Sequence, residues 1–600
     1  MKIALFAGAA TAAVLLMQIE IVPAPRPAAS GATADAAARA LDPLLLARSL
    51  CGGPGQDGFA QRRALFLRAA GAYAQSQGLG SGGVVPASPG LGNSGLQITT
   101  ESDAAQARFT EGLRWANAFN HGAAVQAFRA AQAADPDCAM CFWGEAWALG
   151  PNINAPMPPE AYAPAWAALQ KAQALADGTS ELERALIAAL AARYAPEAPA
   201  DRAPLDLAYA EAMNAAADRF ADNDEVQAMA VEAGMDTQAW DYWEYGGVTP
   251  KGFTASNLRR LETVLARNPA HAASIHLYIH MTEASTDPWR AEPFAERLAG
   301  LAPAAGHLVH MPAHVYYRIG RFGDSIQTNL AAIKADEAFF EQAGDAADPF
   351  YRYGYYPHNV HFVLTSAQRA GDAETVREFG PKLDDVLPME MAAAAPALMP
   401  IKIAPILALA RYGDPAEVLA AEVPADAPPL AQAAWAYARG EAAARAGNVA
   451  GARAEAARLT AMAADPVFAE MGAPTPDVLE LMRLTVFGRA AMAEQDWPAA
   501  VRWFEAAAAR QDMLPYMEPP YWHYPARQSF AAALLLDGQV ARAEQEFYRT
   551  LVQYPDNGWA YWGLAQARRA RGDDAGAELA MTQFARAFLG DESAITLAGL

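Results

Sequence analysis

Eight of the ten histidines lie between positions 271 and 361, and their spacing indicates a single site. His276 and His280 recur as His310 and His314, each 34 residues later. That period belongs to the tetratricopeptide repeat, a pair of helices that stacks into a solenoid. Because a solenoid needs no imidazoles to hold its helices together, the recurrence of histidine points to chemistry rather than to packing.

The other histidines of this region fall in step with the same repeat. When the repeats are aligned on their terminal prolines, the second, fifth, ninth and twelfth positions of the first helix line the concave groove. Spacings of three and four residues place side chains on one helix face. The residues predicted to face one channel are His276, His280, Glu283, His307, His310, His314, His358 and His361.

Imidazoles are ligands for transition metals, and this arrangement predicts a metal site. Packed helices lie about 8–10 Å apart, so histidines from two helices can meet at one ion, with bonds of about 2.0–2.1 Å for zinc. Histidine suits zinc, copper, iron and nickel, and a carboxylate makes zinc or iron more plausible. A periplasmic setting favours copper or zinc. Glu283 is the only carboxylate in step with the histidines, and it is the candidate general base or ligand. The alternative is a metal-free groove of hydrogen-bonded histidines, whose imidazoles would repel one another as the pH falls towards about 6.5.

Other side chains with metal-binding chemistry are weaker candidates. Met281 and Met311 each follow a groove histidine by one residue, so we expect both in the core. For Cys138 and Cys141 we expect a local disulfide or inert thiols rather than ligation. His523 belongs to a region that we interpret as scaffold. A structural role competes with a functional one for His121, His271, Glu232, Asp236, Arg318 and Arg321.

The composition favours an all-α solenoid that positions these residues. The 600 residues are 53% hydrophobic, rich in alanine and only 19% charged, and alanine is the best helix former. The net charge of −22 argues against nucleic-acid binding, which needs a basic surface. We therefore predict a superhelix of antiparallel helix pairs.

Four segments follow from the distribution of residues. Residues 1–22 combine an early lysine with a short apolar run and predict a signal peptide or an N-terminal anchor. Residues 23–100 form an Ala/Gly/Pro-rich lead-in with one helix near 61–77 and a Gly-rich linker. Residues 101–380 carry the repeats with the histidine groove, and residues 381–600 carry further repeats. We expect a periplasmic or secreted protein that meets a membrane only through the N-terminal segment.

Six segments resemble the motifs of a widespread bacterial family of tetratricopeptide proteins. Three carry the histidines: HLYIHMTEAS at residues 276–285, GHLVHMPAHVY at 306–316 and YPHNVH at 356–361. The others are FNH at 119–121, DPDCAMCFWG at 135–144 and GPNIN at 150–154. The resemblance spans roughly residues 100–380 and implies a tetratricopeptide fold but no activity, so the metal hypothesis depends on residue types and spacing.

Three functions fit these observations. The first is a metalloenzyme, hydrolytic or oxidative, in which a bound metal lowers the pKa of a water to about 7. The second is a periplasmic protein that binds or delivers metal without catalysis. The third is an adaptor that holds a peptide or a small molecule in the groove. The number of protein ligands separates them, because a catalytic metal keeps an open position and a storage site does not.

Overall fold

Helices follow one another in pairs through a computed structural model that describes residues 85–244, 246–394, 398–472 and 474–600. The predicted signal peptide or anchor and the predicted helix near 61–77 lie outside these residues. The described residues contain isolated β-bridges but no β-strand. None of the described helices is long and apolar enough to cross a membrane.

The α-helices of this part of the chain, in order, are α1 (Asp103–Asn117), α2 (His121–Ala134), α3 (Ala139–Ala148), α4 (Tyr162–Ala174), α5 (Glu181–Ala191), α6 (Ala203–Arg219), α7 (Asp224–Asp236), α8 (Thr254–Arg267), α9 (Ala272–Glu283), α10 (Glu292–Leu301), α11 (Gly306–His310), α12 (Pro312–Ile319), α13 (Phe322–Ala343), α14 (Tyr356–Ala370), α15 (Ala373–Val386), α16 (Met389–Ala394), α17 (Met399–Lys402), α18 (Ala404–Tyr412), α19 (Pro415–Ala420), α20 (Pro429–Arg445), α21 (Val449–Ala463), α22 (Pro466–Glu470), α23 (Thr475–Glu494), α24 (Trp497–Gln511), α25 (Ala526–Leu536), α26 (Val540–Gln553), α27 (Gly558–Ala570) and α28 (Asp574–Ala587).

The small-to-large packing of tetratricopeptide repeats joins these helices. The Phe128 ring of α2 sits against Gly144 of α3 so closely that a Cβ there would lie 2.4 Å from it. Phe547 of α26 packs against Gly563 of α27 in the same way, at 2.2 Å. Each pair therefore needs glycine opposite phenylalanine to let the helices approach. The all-α tetratricopeptide-type fold predicted from the sequence is confirmed.

Two of the helices that carry histidines end at a glycine. Gly320 follows α12 with a φ of 86°, and Gly371 follows α14 with a φ of 77°. This left-handed conformation suits glycine because it has no Cβ. At Gly320 a Cβ would also lie 2.2 Å from the Pro555 carbonyl oxygen, so the turn brings a C-terminal repeat against α12.

The described part of the lead-in packs against the repeats, although we had predicted a linker there. The Gly95 amide donates to Glu225 at 2.8 Å, and the Ala304 amide donates to the Gly90 carbonyl at 2.9 Å. Leu91 and Leu96 are buried. These buried side chains hold the segment against the repeats despite its glycines. The residues therefore form an extended strap rather than a spacer.

The C-terminal repeats pack onto the histidine-bearing half. The Leu589 amide donates to the Ala370 carbonyl at 2.8 Å, at the end of α14. One apolar cluster continues through residues 313–526, across the predicted boundary at 380. The loop after α24 reaches α9, where the Tyr516 hydroxyl donates to Glu283 at 3.3 Å. The C-terminal region is therefore more than a remote scaffold, because it contributes a side chain beside the histidines.

Candidate metal centre

Four helices bring the histidines together. His276 and His280 lie one turn apart on α9, His307 and His310 lie on α11, and His314 lies on α12. Pro312 begins α12 directly after α11, a position where its missing amide costs no helical hydrogen bond. α9 packs against α12, and α13 packs against both α11 and α14, which carries the last two histidines.

Six histidines form two groups of three. The first triad is His276, His280 and His307, and the second triad is His310, His314 and His358. Within each triad one ligand nitrogen per residue lies within 4.8 Å of the other two. Five of the six side chains are buried and His358 is half-buried. Instead of lining an open groove, as the repeat pattern predicted, the triads form an enclosed centre with one partly accessible edge.

Hydrogen bonds fix two of the three imidazoles of the first triad with one nitrogen turned inward. His276 Nδ1 donates to the Asn117 carbonyl at 2.8 Å, and His280 Nδ1 donates to Glu283 Oε1 at 2.8 Å. Neither acceptor can donate, so each Nδ1 carries the proton and each neutral ring keeps its lone pair on Nε2. The Nε2 atom of His276 lies 3.1 Å from that of His307.

The second triad is fixed in the same manner. His310 Nδ1 lies 2.6 Å from Asn329 Oδ1, and the Asn329 amide nitrogen donates to the Ser325 carbonyl, so the oxygen accepts from His310. His314 Nδ1 donates to Glu283 Oε2 at 2.6 Å. The Nε2 atoms of His310 and His314 then face each other at 2.8 Å.

Two lone pairs at this distance repel unless a cation lies between them. A neutral imidazole whose Nδ1 is protonated has no hydrogen to donate from Nε2, so His310 and His314 cannot form a hydrogen bond with each other in these tautomers. A metal ion accepts both lone pairs, and fixing of the distal nitrogen by a carbonyl or carboxylate is the usual arrangement of metal-bound histidine. The second triad is thus built as a ligand set, and in the first triad His276 and His280 are held in the same way.

Glu283 links the two triads but does not offer a free oxygen. One carboxylate oxygen accepts from His280 of the first triad and the other from His314 of the second. Burial opposes its ionisation, yet the electrostatic interaction with His314 and the hydrogen bonds from both histidines lower the pKa of Glu283 to about 2. We predicted a general base or a ligand, and these contacts instead describe a positioning carboxylate, too acidic to take up a proton at neutral pH.

Burial also keeps four of the six triad histidines neutral. It is the largest cause of the lowered pKa of His276, His307, His310 and His358, all held well below the usual value. The neighbouring imidazoles lower these pKa values further, because each disfavours a second positive charge nearby. These four rings are therefore unprotonated at neutral pH and available as ligands without competition from protons.

Aromatic rings shield the centre from water, and the sequence did not assign them this role. Phe119 packs on His276 and His307 with ring centroids 4.4 Å and 5.2 Å apart. It has a φ of 58°, unusual for a residue with a Cβ. Tyr355 lies 4.7 Å from His307, and Phe362 lies 4.7 Å from His314. Only the motif FNH at 119–121 hinted at the first of these contacts.

His361 does not join its neighbours. It is buried on α14, where burial lowers its pKa to about 3, but it belongs to neither triad. The prediction that His361 is a ligand therefore finds no support in this geometry.

The competing candidates have structural partners. His121 contacts the Ala148 carbonyl and Asn152, and His271 caps α9 and contacts Glu225. Asp236 forms an ion pair with Arg193 at 2.6 Å.

Cys138 and Cys141 are joined by a disulfide, as we favoured, so neither thiolate is a ligand. Met281 and Met311 are buried in the core. In the C-terminal half, His523 is buried between Tyr437 and Gln368.

Comparisons with known proteins add little to this geometry. No protein-family model matches the chain, and no curated protein matches it. A solved structure of a human IFIT1 dimer with m7Gppp-AAAA is similar at 11% identity and a TM-score of 0.28, over 88% of this chain and 94% of that one. A structure of Naa15/Naa10 bound to HypK-THB is similar at 10% identity and a TM-score of 0.19, over 82% and 90%. The resemblance to one bacterial family stays a prediction.

Proposed function

We propose that this protein binds two transition-metal ions side by side, one in each triad, and uses them as a metalloenzyme. The observation that carries the proposal is the pair of inward lone pairs, at 2.8 Å between His310 and His314, beside which the Nε2 atoms of His276 and His307 lie 3.1 Å apart. Four of the six histidines have Nδ1 held by an acceptor, which fixes Nε2 as the ligand atom.

The donor set favours copper, with zinc second. All six donors are imidazole nitrogens, and the nearest carboxylate is already engaged by two histidines. Iron sites of the two-histidine, one-carboxylate type need a carboxylate on the metal, which Glu283 does not supply here. Among divalent ions copper binds nitrogen ligands most tightly. The Cys138–Cys141 disulfide fits an oxidising compartment, which agrees with the export that we expect from the N-terminal segment.

The arrangement favours catalysis over storage. Three histidines leave each ion with an open position, as in catalytic sites. The triads are adjacent, with ring centroids 5.8 Å apart for His280 and His314 and 6.0 Å apart for His307 and His310. If both triads are loaded, their six histidines would hold two neighbouring ions, which would supply metal-ion chemistry to a bound ligand. With copper the expected chemistry is oxidative, and with zinc it is hydrolytic.

The other two functions receive less support. A delivery protein must release its ion, whereas five of these six histidines are buried. A peptide adaptor needs an open groove, and here aromatic rings cover the histidines.

Elemental analysis tests the proposal. Untagged protein is loaded separately with copper, zinc and iron, passed through a desalting column and measured for metal per chain. We expect close to two equivalents of copper and fewer of iron. A His271→Asn variant serves as control, because it removes a histidine of α9 outside the triads while asparagine retains the helix cap. Less than a tenth of an equivalent for every metal would refute the proposal, as would retention that depends on His271.

A further inference from the structure

A cleft lies next to Arg318 and Tyr516, which both contact Glu283. Its walls come from α12, the start of α13, α14, the loop after α24 and the end of α26, and they are largely aromatic. The aromatic residues of the walls are Tyr317, Phe322, Tyr516, Tyr521, Trp522 and Tyr554. Such a surface suits a flat, apolar ligand, because aromatic side chains gain from ring-to-ring contact beyond the area that they bury.

One wall carries a guanidinium whose terminal nitrogens lack partners. Arg369 is 2% exposed. Its Nε donates to the Tyr317 hydroxyl at 3.0 Å, and its guanidinium carbon lies 4.8 Å from the Tyr554 ring centroid. Both terminal nitrogens are buried, and neither has a hydrogen-bond partner among the described residues. A buried cation with unsatisfied N–H groups is costly, so the arrangement calls for an acceptor.

The other charges of the cleft leave this cation available. Glu518 lines the same cleft, but the cation with which it interacts electrostatically is Arg318. The Arg318 guanidinium donates to the Glu283 carbonyl at 2.8 Å and lies 5.3 Å from the Tyr516 ring centroid. A carboxylate from outside the chain would therefore go to Arg369, where it meets a positive charge and unpaired donors.

We infer that this cleft binds an aromatic carboxylic acid, with its carboxylate on the two terminal nitrogens of Arg369 and its ring against the aromatic walls. A planar guanidinium and a carboxylate match as two parallel hydrogen bonds, among the strongest in proteins. Trp522 also lines this cleft, and its buried Nε1 is a second donor without a partner among the described residues.

The cleft communicates with the histidine centre. The Tyr516 hydroxyl donates to Glu283, whose other contacts are His280 and His314. That the bound acid is the substrate of the centre rests on the function proposed above, but binding of the acid to Arg369 does not.

Calorimetry on the full-length protein, metal-free and metal-loaded, tests the inference. The probes are benzoate, phenylacetate and 3-phenylpropionate, each compared with its neutral amide, and inorganic phosphate. We expect at least one acid to bind at least ten times more tightly than its amide. Arg369→Gln should weaken that acid by about ten- to one-hundred-fold, since it removes a charged hydrogen-bond partner. Arg369→Lys, which keeps the charge but loses the planar fork, should fall between.

The matched control is Arg321→Gln, which removes an arginine that pairs with Glu292 and Glu296 outside the cleft. It should leave acid binding unchanged. Equal binding of acid and amide, binding of phosphate alone, or no binding of any probe would overturn the inference, and the comparison of acid with amide needs no variant. Acid binding by a protein that retains no metal would refute the proposed function and leave this inference standing.

Discussion

Replacing Glu283 by glutamine separates a positioning carboxylate from a ligand or a base. Each carboxylate oxygen accepts a hydrogen bond from a protonated Nδ1, Oε1 from His280 at 2.8 Å and Oε2 from His314 at 2.6 Å. Glutamine keeps the size of the side chain but offers one oxygen and one NH₂ group. The NH₂ group can only donate, so it clashes with one Nδ1–H unless that imidazole moves its proton to Nε2. An imidazole with the proton on Nε2 is no longer a ligand at that atom.

The variant should therefore damage one triad and spare the other. Loss of an outer partner of a metal-bound histidine typically lowers metal affinity by 10- to 100-fold. We expect one of the two sites to weaken by about that factor and the affinity of the other site to stay close to that of the wild type. The assay is competition with a chelator of known affinity, with bound metal counted at each step.

A matched control is Glu225→Gln, which alters a buried contact between a glutamate and His271 outside the triads. It should leave both sites unchanged. If Glu283→Gln retains both affinities at the wild-type level, Glu283 does not position the histidines. If both sites lose all metal while the protein stays folded, Glu283 is a direct ligand, and the geometry described above is wrong.

Two further predictions concern the histidines. His276→Ala and His310→Ala should each remove about one metal equivalent, from separate triads, and should retain the helical circular dichroism signal. His361→Ala should keep both ions. Loss of metal in His361→Ala would restore the prediction that His361 is a ligand. The metal-free protein should lose stability as the pH falls from 7 to 5, because the unfolded chain takes up protons below about pH 6.5 while burial keeps the folded imidazoles neutral. Each such histidine lowers the free energy of unfolding by about 1.4 kcal/mol per pH unit below that point. Urea unfolding at several pH values measures this slope. Equal stability across this range would contradict the assignment of neutral buried rings.

Local sequence pattern predicted the helices and the approach of most of the histidines. The 34-residue recurrence of His276 and His280 as His310 and His314 requires only that successive repeats stack. The spacing of four residues then places each pair on one helix face. The same reasoning misplaced His361, because its position depends on how far α14 rotates about its own axis, which side-chain packing decides.

The remaining features depend on contacts between distant parts of the chain. The Asn117 carbonyl reaches His276 across 159 positions, and Tyr516 reaches Glu283 across 233. No local pattern marks either residue as a partner. The direction of the Glu283 oxygens was equally hidden, since a carboxylate in step with histidines can bind the metal or hold the rings. The enclosure of the centre by Phe119 depends on a turn conformation that phenylalanine seldom adopts.

Anomalous scattering from crystals of metal-loaded protein tests the central claim most directly. Data collected on both sides of the copper or zinc absorption edge locate each ion without assuming its ligands. We predict two peaks per chain, one bounded by His276, His280 and His307 and the other by His310, His314 and His358. Crystals of well-folded, metal-loaded protein that show no peak at either triad, or show metal only on surface carboxylates, would contradict the account.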